Sequence, residues 1–281
     1  MPQNFKAELT GSFSTPCHDN PTVVMVEAAY QHHGLNWRYL NAEVQPADLA
    51  AAVAGARAMG WRGFNLSMPH KVSVIQLLDE LGESARLINA VNCVVAREGR
   101  LVGENTDGKG FLSSLRPVLD PAGRHGVVLG AGGAARAIAV ELALAGVGRL
   151  TIVNRTPARA AELASLVRAA RPIEVEALNW DADYAVPATA DVLVNATSIG
   201  LGDATARVPV AAASLRPGLV VADVIPNPPQ TALLRAAAHA GCTTLDGLGM
   251  LVGQGVLGIN YWTGVGVDPV PMRTALEEVF S

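Results

Sequence analysis

The sequence predicts an α/β protein of two domains, an N-terminal α/β substrate domain followed by a Rossmann-type dinucleotide-binding domain. Three observations predict it. Half of the 281 residues are hydrophobic and only 16% are charged, which supplies a sizeable core and argues against disorder. Short apolar runs ending in Gly, Pro, Asn or Ser alternate with Ala- and Leu-rich stretches at helical spacing, the pattern of parallel strands joined by right-handed crossovers. That alternation restarts near residue 108: residues 126–156, GVVLGAGGAARAIAVELALAGVGRLTIVNRT, read as strand, Gly-rich turn, helix and strand.

The elements follow in order. Residues 21–34 and 46–60 read as helices, each with Pro near its start and Gly just after its end. WRYLNAEV (37–44) is a strand between them. GFNLS (63–67) is the next strand, stopped by Pro69, which lacks a backbone N–H. A helix is expected after Lys71. Residues 92–96 and 100–103 read as a hairpin turning at Glu98-Gly99. Further strand ends lie in 191–200, 220–227 and 243–249, with a helix at 230–240 before the last. Helices at 250–262 and 271–280 complete the chain.

Composition narrows the function. The formal charge of −4 provides no global basic field for nucleic acid. The cysteines, Cys17, Cys93 and Cys242, are scattered, with no zinc-ligand spacing, so no metal is expected and free thiols in a reducing cytoplasm are. The segment MPQNFKAELTGSF lacks the apolar core of a signal peptide. No stretch reaches the roughly 18 apolar residues of a membrane span. A soluble cytoplasmic protein with a small-molecule substrate is expected, as monomer or homodimer.

Two groups of residues carry chemistry. Gly130, Ala131, Gly132, Gly133, Ala134 and Ala135 fit G-x-G-x-x-G/A between a strand and a helix. There the first glycine permits the tight turn, the second admits the pyrophosphate and the helix offers free N–H groups. The alternative is a purely structural strand–helix turn. The next strand ends at Asn154, followed by Arg155, Thr156 and Arg159. A carboxylate accepting from a ribose 2′-OH is absent; two arginines and a hydroxyl suit a 2′-phosphate, hence NADP, with NAD the weaker alternative. The plainer reading is that both arginines are solvated at a helix start, where they oppose its dipole.

The second group is Asn65, Ser67, Lys71, Asn92, Asn105 and Asp107, at the ends of the N-terminal elements, where ligands bind in parallel sheets. Carbonyl reduction needs a protonated group at the oxygen. Lys71 suits that role, with Asp107 to orient the ammonium and a substrate hydroxyl. His70 reads as a structural neighbour.

In these residues the chain resembles the shikimate dehydrogenase family, with its quinate and shikimate dehydrogenase-like members. The resemblance runs through GSFSTP (11–16), GFNLSMPHK (63–71), NAVN (89–92), NTDGKG (105–110), VLGAGGAARA (128–137), NRTPARA (154–160), NATSIGL (195–201), DVIPNPPQTALL (223–234) and DGLGMLVGQG (246–255). It implies NADPH-dependent reversible reduction of 3-dehydroshikimate to shikimate, with quinate or aminoshikimate oxidation as the alternative on the same scaffold; the alternative from another class is a non-catalytic NADP-binding sensor, which the presence of both Lys71 and Asp107 disfavours. It also implies an active site in the cleft between the domains. The domains are then 1–107 for substrate, with helices of about 250–281 packing back on it, and 108–249 for NADP. Matched position by position, Lys71 and Asp107 are catalytic. Ser12 and Ser14 match the pair that binds the substrate carboxylate, and Ser67, Asn92 and Gln254 are further substrate ligands. Thr197, Ser198, Val224 and Gly247 join Gly130–Ala135, Asn154, Arg155, Thr156 and Arg159 around the cofactor. Three departures cluster at the C1 end of the substrate. The usual Ser-x-Ser-Pro has Thr15 inserted before Pro16, with Asp19-Asn20-Pro21 following. Pro226 stands where the family has Tyr, and Gly255 where it has Ala.

Overall fold

The computed structural model describes residues 5–280. Residues 1–4 of the segment read for a signal peptide, and Ser281 of the predicted returning segment, lie outside them. The chain divides into two compact units: residues 5–106 with 254–279, and Asp107–Gly253 with Phe280.

The first unit opens with β1 (Glu8–Ser14), α1 (Thr22–His32), β2 (Trp37–Glu43), α2 (Leu49–Ala58), β3 (Gly63–Leu66) and the single turn α3 (His70–Ser73). It continues with β4 (Glu80–Leu81), α4 (Glu83–Ile88), β5 (Cys93–Arg97) and β6 (Arg100–Glu104). Its sheet runs β2-β1-β3-β5-β6-β4. β1 pairs parallel with β2 and β3, whereas β5 runs antiparallel to both β3 and β6. The β5–β6 turn has positive φ at both Glu98 (50°) and Gly99 (79°), matching the strand twist in a two-residue hairpin.

Alternation along β1 sorts its side chains. Phe13 stacks on Phe64 and tilts against Trp61, in a core with Leu49, Val53 and Leu66. Thr10, Ser12 and Ser14 take the opposite face and are also buried. Thr10 Oγ1 is 2.9 Å from Tyr30 Oη of α1.

The second unit contains α5 (Asp107–Leu115), β7 (His125–Leu129), α6 (Gly133–Leu144), β8 (Arg149–Asn154), α7 (Pro157–Ala170) and β9 (Glu174–Asn179). β10 (Val192–Asn195), β11 (Val220–Asp223), α8 (Ala232–His239) and β12 (Thr243–Leu245) follow. All six strands are parallel, in the order β12-β11-β10-β7-β8-β9. Both faces are covered, one by α5, α6 and α7 around Ile138, Leu142 and Leu163, the other around Leu193, Leu234 and Trp180. Burial on two sides explains why VVL, TIV and VLV are apolar runs rather than alternating ones.

The chain leaves this unit inside α9 (Gly247–Thr263) and ends with α10 (Pro269–Val279). α10 packs on α1, and Trp262 of α9 donates from Nε1 to Val94 O at 3.0 Å. The C-terminal helices thus close the first unit's core over the strand face bearing Tyr39, 6.1 Å from the Trp262 ring. α9 starts at Gly247, earlier than the sequence spacing suggests, because Asp246 accepts from Gly249 N through Oδ1 at 3.2 Å and caps the first turn.

Candidate active site

Lys71 sits in the turn that ends β3. Three contacts fix this turn to neighbouring strand ends. Ser67 N donates to Phe13 O at 3.2 Å and Thr15 N to Met68 O at 3.3 Å. His70 Nε2 lies 2.7 Å from Val44 O. A carbonyl only accepts, so this ring nitrogen carries the proton. His70 is fully buried and anchors the turn, while Lys71 is half-buried and its carbonyl accepts from Val91 N at 2.8 Å. Pro69 supplies the break in the strand, and the lysine emerges at the C-terminal ends of β1, β2 and β3.

A buried polar chain runs under it. Tyr39 Oη donates to Asn65 Oδ1 at 2.7 Å, and Asn65 Nδ2 to Asn92 O at 3.0 Å. Asn92 Nδ2 donates to Thr106 Oγ1 at 3.0 Å and its Oδ1 accepts from Thr106 N at 2.7 Å. Asn105 Nδ2 reaches Ala90 O at 3.1 Å. The asparagines thus hold the segment that leads directly into Asp107, the first residue of α5. Burial holds the Tyr39 phenol well above its ordinary pKa, so it stays a protonated donor. Ser67 is half-buried on the Lys71 turn, and Gln254 of α9 is buried.

The two serines fall inside β1, not in a loop. Ser12 donates from Oγ to Asn41 Oδ1 at 2.8 Å and accepts from Asn20 Nδ2 at 3.4 Å. Ser14 Oγ is enclosed with no hydrogen-bond partner among the described residues. Both serines are buried. Before α1, His18 and Asp19 are exposed and Asn20 is half-buried.

In the second unit, β7 ends in Gly130 at φ +105°, where a Cβ would lie 3.0 Å from Ala196 O; only glycine makes this turn without strain. Gly132 caps α6 with no side-chain bond to its first turn. Gly132 and Gly133 are exposed, and a Cβ on either would meet nothing within 4 Å. Ala131 and Ala134 flank them half-buried, and Ala135 turns into the core. The helix N-terminus is therefore open and rich in unfilled donors, which fits a pyrophosphate. Asn154 Nδ2 donates to Thr156 O at 3.0 Å. Arg155, Thr156 and Arg159 are exposed at the start of α7, whose first turn carries no acid. Neither guanidinium forms an ion pair with the described residues. A pocket of about 350 Å³ beside Arg155 is lined by Trp180, Asp181, Ile199 and Arg207.

Sequence reasoning missed what holds the remaining cofactor loops. Asp223 is buried at the end of β11 and accepts from Thr231 Oγ1 (2.8 Å), Asn195 Nδ2 (3.0 Å) and Ile225 N (3.2 Å). Desolvation raises its pKa, and these bonds oppose the rise. Asn195 in turn accepts from Thr197 N and Oγ1 at 3.2 and 2.7 Å. Thr197, Ser198 and Val224 are thereby carried on loops tied to one carboxylate. Gly247 opens α9 against the backbone of Ile225.

Fold and site together are those of a dinucleotide-dependent α/β oxidoreductase. Family models agree: a shikimate dehydrogenase substrate-binding domain matches residues 13–94, a shikimate/quinate 5-dehydrogenase domain 118–201 and a shikimate 5′-dehydrogenase C-terminal domain 247–277. A shikimate dehydrogenase (NADP(+)) of Moorella thermoacetica is 42% identical over 266 residues, 94% of this chain and 90% of that one. The chain belongs to the shikimate dehydrogenase family. Among solved structures, a ligand-free 5-ketofructose reductase of Gluconobacter sp. strain CHM43 is 58% identical with a TM-score of 0.97, covering 99% of this chain and 100% of that one. A shikimate dehydrogenase in complex with NADP+ is 34% identical with a TM-score of 0.91, covering 99% and 97%.

Proposed function

We propose that the protein is an NADP-dependent oxidoreductase that reduces a ketone to a secondary alcohol, with Lys71 as proton donor and Asp107 as its carboxylate partner. The observation that supports it most is the Lys71 turn, held by three hydrogen bonds at the ends of three strands. NADPH, when bound, supplies the hydride. Gly130–Ala135 would hold its pyrophosphate, and Arg155, Thr156 and Arg159 its 2′-phosphate. Lys71 gives its proton to the carbonyl oxygen, so ketone, NADPH and H+ become alcohol and NADP+. Ser67, Asn92 and Gln254 hydrogen-bond further substrate oxygens. The curated relatives' names support 3-dehydroshikimate and shikimate as the substrate pair. A second reading, an uncharged polyhydroxy ketone such as 5-ketofructose, is favoured by the 58% identical structure. Lys71→Ala is expected to lower kcat by about 10²–10⁴, the usual range for a general acid, while NADPH affinity stays nearly intact. Near-normal kcat would refute the assignment.

A further inference from the structure

The end of the first unit's sheet carries a closed ring of neutral hydrogen bonds. Ser12 lies opposite Asn41 on β2 and Asn65 on β3. Its hydroxyl proton goes to Asn41 Oδ1 at 2.8 Å. Asn41 Nδ2 donates to Asn20 O at 2.8 Å and to Cys17 O at 3.4 Å. Asn20 closes the ring by donating from Nδ2 to Ser12 Oγ at 3.4 Å, while its Oδ1 accepts from Thr22 N at 3.1 Å. The ring ties the loop before α1 to β1 and β2, whose ends also hold the Lys71 turn.

The unused valences decide what the ring can read. Both amide protons of Asn41 are spent, as is the Ser12 proton. One N–H of Asn20 and one lone pair on Asn41 Oδ1 remain, on half-buried side chains. A donor beside an acceptor matches a hydroxyl, which both gives and takes a hydrogen bond. A carboxylate only accepts, and would turn one oxygen toward the Asn41 lone pair.

The charges around the ring point the same way. Between residues 7 and 56 the chain has a single Lys or Arg, Arg38. Arg38 lies at the start of β2, the opposite end of the strand from Glu43, and donates to Trp37 O at 2.7 Å. The loop before α1 carries Asp19, exposed, and β2 ends at Glu43, whose carboxylate faces the same loop through Thr15 and Cys17. The one cation at the same strand ends is Lys71, which the proposed reaction commits to the carbonyl oxygen, so an anionic substrate end at the ring would meet Asp19 and Glu43 with no cation of its own.

We propose that Asn20 and Asn41 are specificity-determining residues that read a hydroxyl of an uncharged polyhydroxy ketone and disfavour ring acids such as 3-dehydroshikimate. This rests on the reading of Lys71 as the proton donor of an NADPH-dependent ketone reduction, and selects between its two substrate classes. 5-Ketofructose is the probe: it is uncharged and carries four hydroxyl groups.

The test compares initial rates of NADPH oxidation by the full chain with 5-ketofructose and with 3-dehydroshikimate. The ketose is expected to give at least a 100-fold higher kcat/KM. Asn20→Asp, which removes the free N–H and adds charge, should raise the ketose KM more than tenfold with kcat changed less than threefold. Asp19→Lys, on an exposed side chain, should raise kcat/KM for the acid at least tenfold at low salt, an effect that 0.5 M salt abolishes. A preference for the acid, or an unchanged ketose KM in Asn20→Asp, overturns the inference and leaves the ketone-reductase reading standing. Turnover of neither substrate overturns both.

Discussion

Arg155 and Arg159 stand at the start of α7, whose first turn carries no acid, and have no ion-pair partner among the described residues. Charge-assisted hydrogen bonds contribute roughly 1.5–3 kcal/mol each. Replacing both arginines with Gln is therefore expected to weaken NADP binding more than tenfold and leave NAD binding within about twofold, measured as two dissociation constants. Equal losses for the two cofactors would mean that neither arginine touches the 2′-phosphate. The placement of these arginines, exposed at a helix start, was legible in the sequence because it is local: they follow a Gly-rich turn and a strand by a fixed spacing. Lys71, set off by Pro69, was legible for the same reason. Asn20, Asn41 and Tyr39 were not. Each is an ordinary asparagine or tyrosine until strand register sets Ser12 opposite Asn41 and Asn65, more than 25 residues away in each case. Asp223 was hidden likewise, since its three donors come from three separate segments. Ser12 and Ser14, matched to the family's carboxylate-binding pair, lie inside β1, where Ser14 Oγ has no hydrogen-bond partner among the described residues.

At the scale of elements, α2, β6 and the segment before β4 are joined by one acid. Asp79 accepts from Leu101 N at 2.6 Å and from Arg57 at 2.8 Å. The Leu101 N–H first, and then Arg57, hold its carboxyl below the ordinary range. A lowered native pKa means that the unfolded chain binds the proton more readily, so this stabilisation is complete above about pH 4 and lost as the pH falls below it. Urea midpoints measured from pH 6 down to pH 3 should fall less steeply in Asp79→Asn than in the unaltered protein; parallel curves would exclude the link. Elements with a strong period, such as α6 and five of the six strands of the parallel sheet, were readable from the chain; β9, a half-exposed edge strand, was not. β1 was not, because Thr10, Ser12 and Ser14 put polar residues on a face that is nevertheless buried. α5 was missed because Gly108 and Gly110 lower helix propensity. Gly108 is there for packing: a Cβ would sit 2.3 Å from Ala137 O of α6.

The whole molecule distributes its four tryptophans unevenly. Trp37, Trp61 and Trp262 belong to the first unit and Trp180 alone to the second. Trp180 is buried, donates from Nε1 to Pro209 O at 2.9 Å and lines the pocket beside Arg155. Adding NADP+ should change the intrinsic fluorescence, and Trp180→Phe should abolish most of that change while preserving affinity. A change that survives in Trp180→Phe would place the reporter among the other three.

The first unit is discontinuous in sequence, and this sets an order of events during synthesis. Residues 5–106 lack α10, which covers α1, and Trp262, which bonds to Val94, until the last part of the chain is made. About 150 residues intervene, which at roughly 5–20 residues per second is on the order of 10–30 s of translation. The parallel sheet around β7 has all of its strands before residue 246 and can assemble while the earlier half is still waiting. The N-terminal segment is made first and completed last. During that interval its unclosed face, with Met25, Tyr30 and Tyr39, is the surface most open to chaperones and to misassociation on the ribosome.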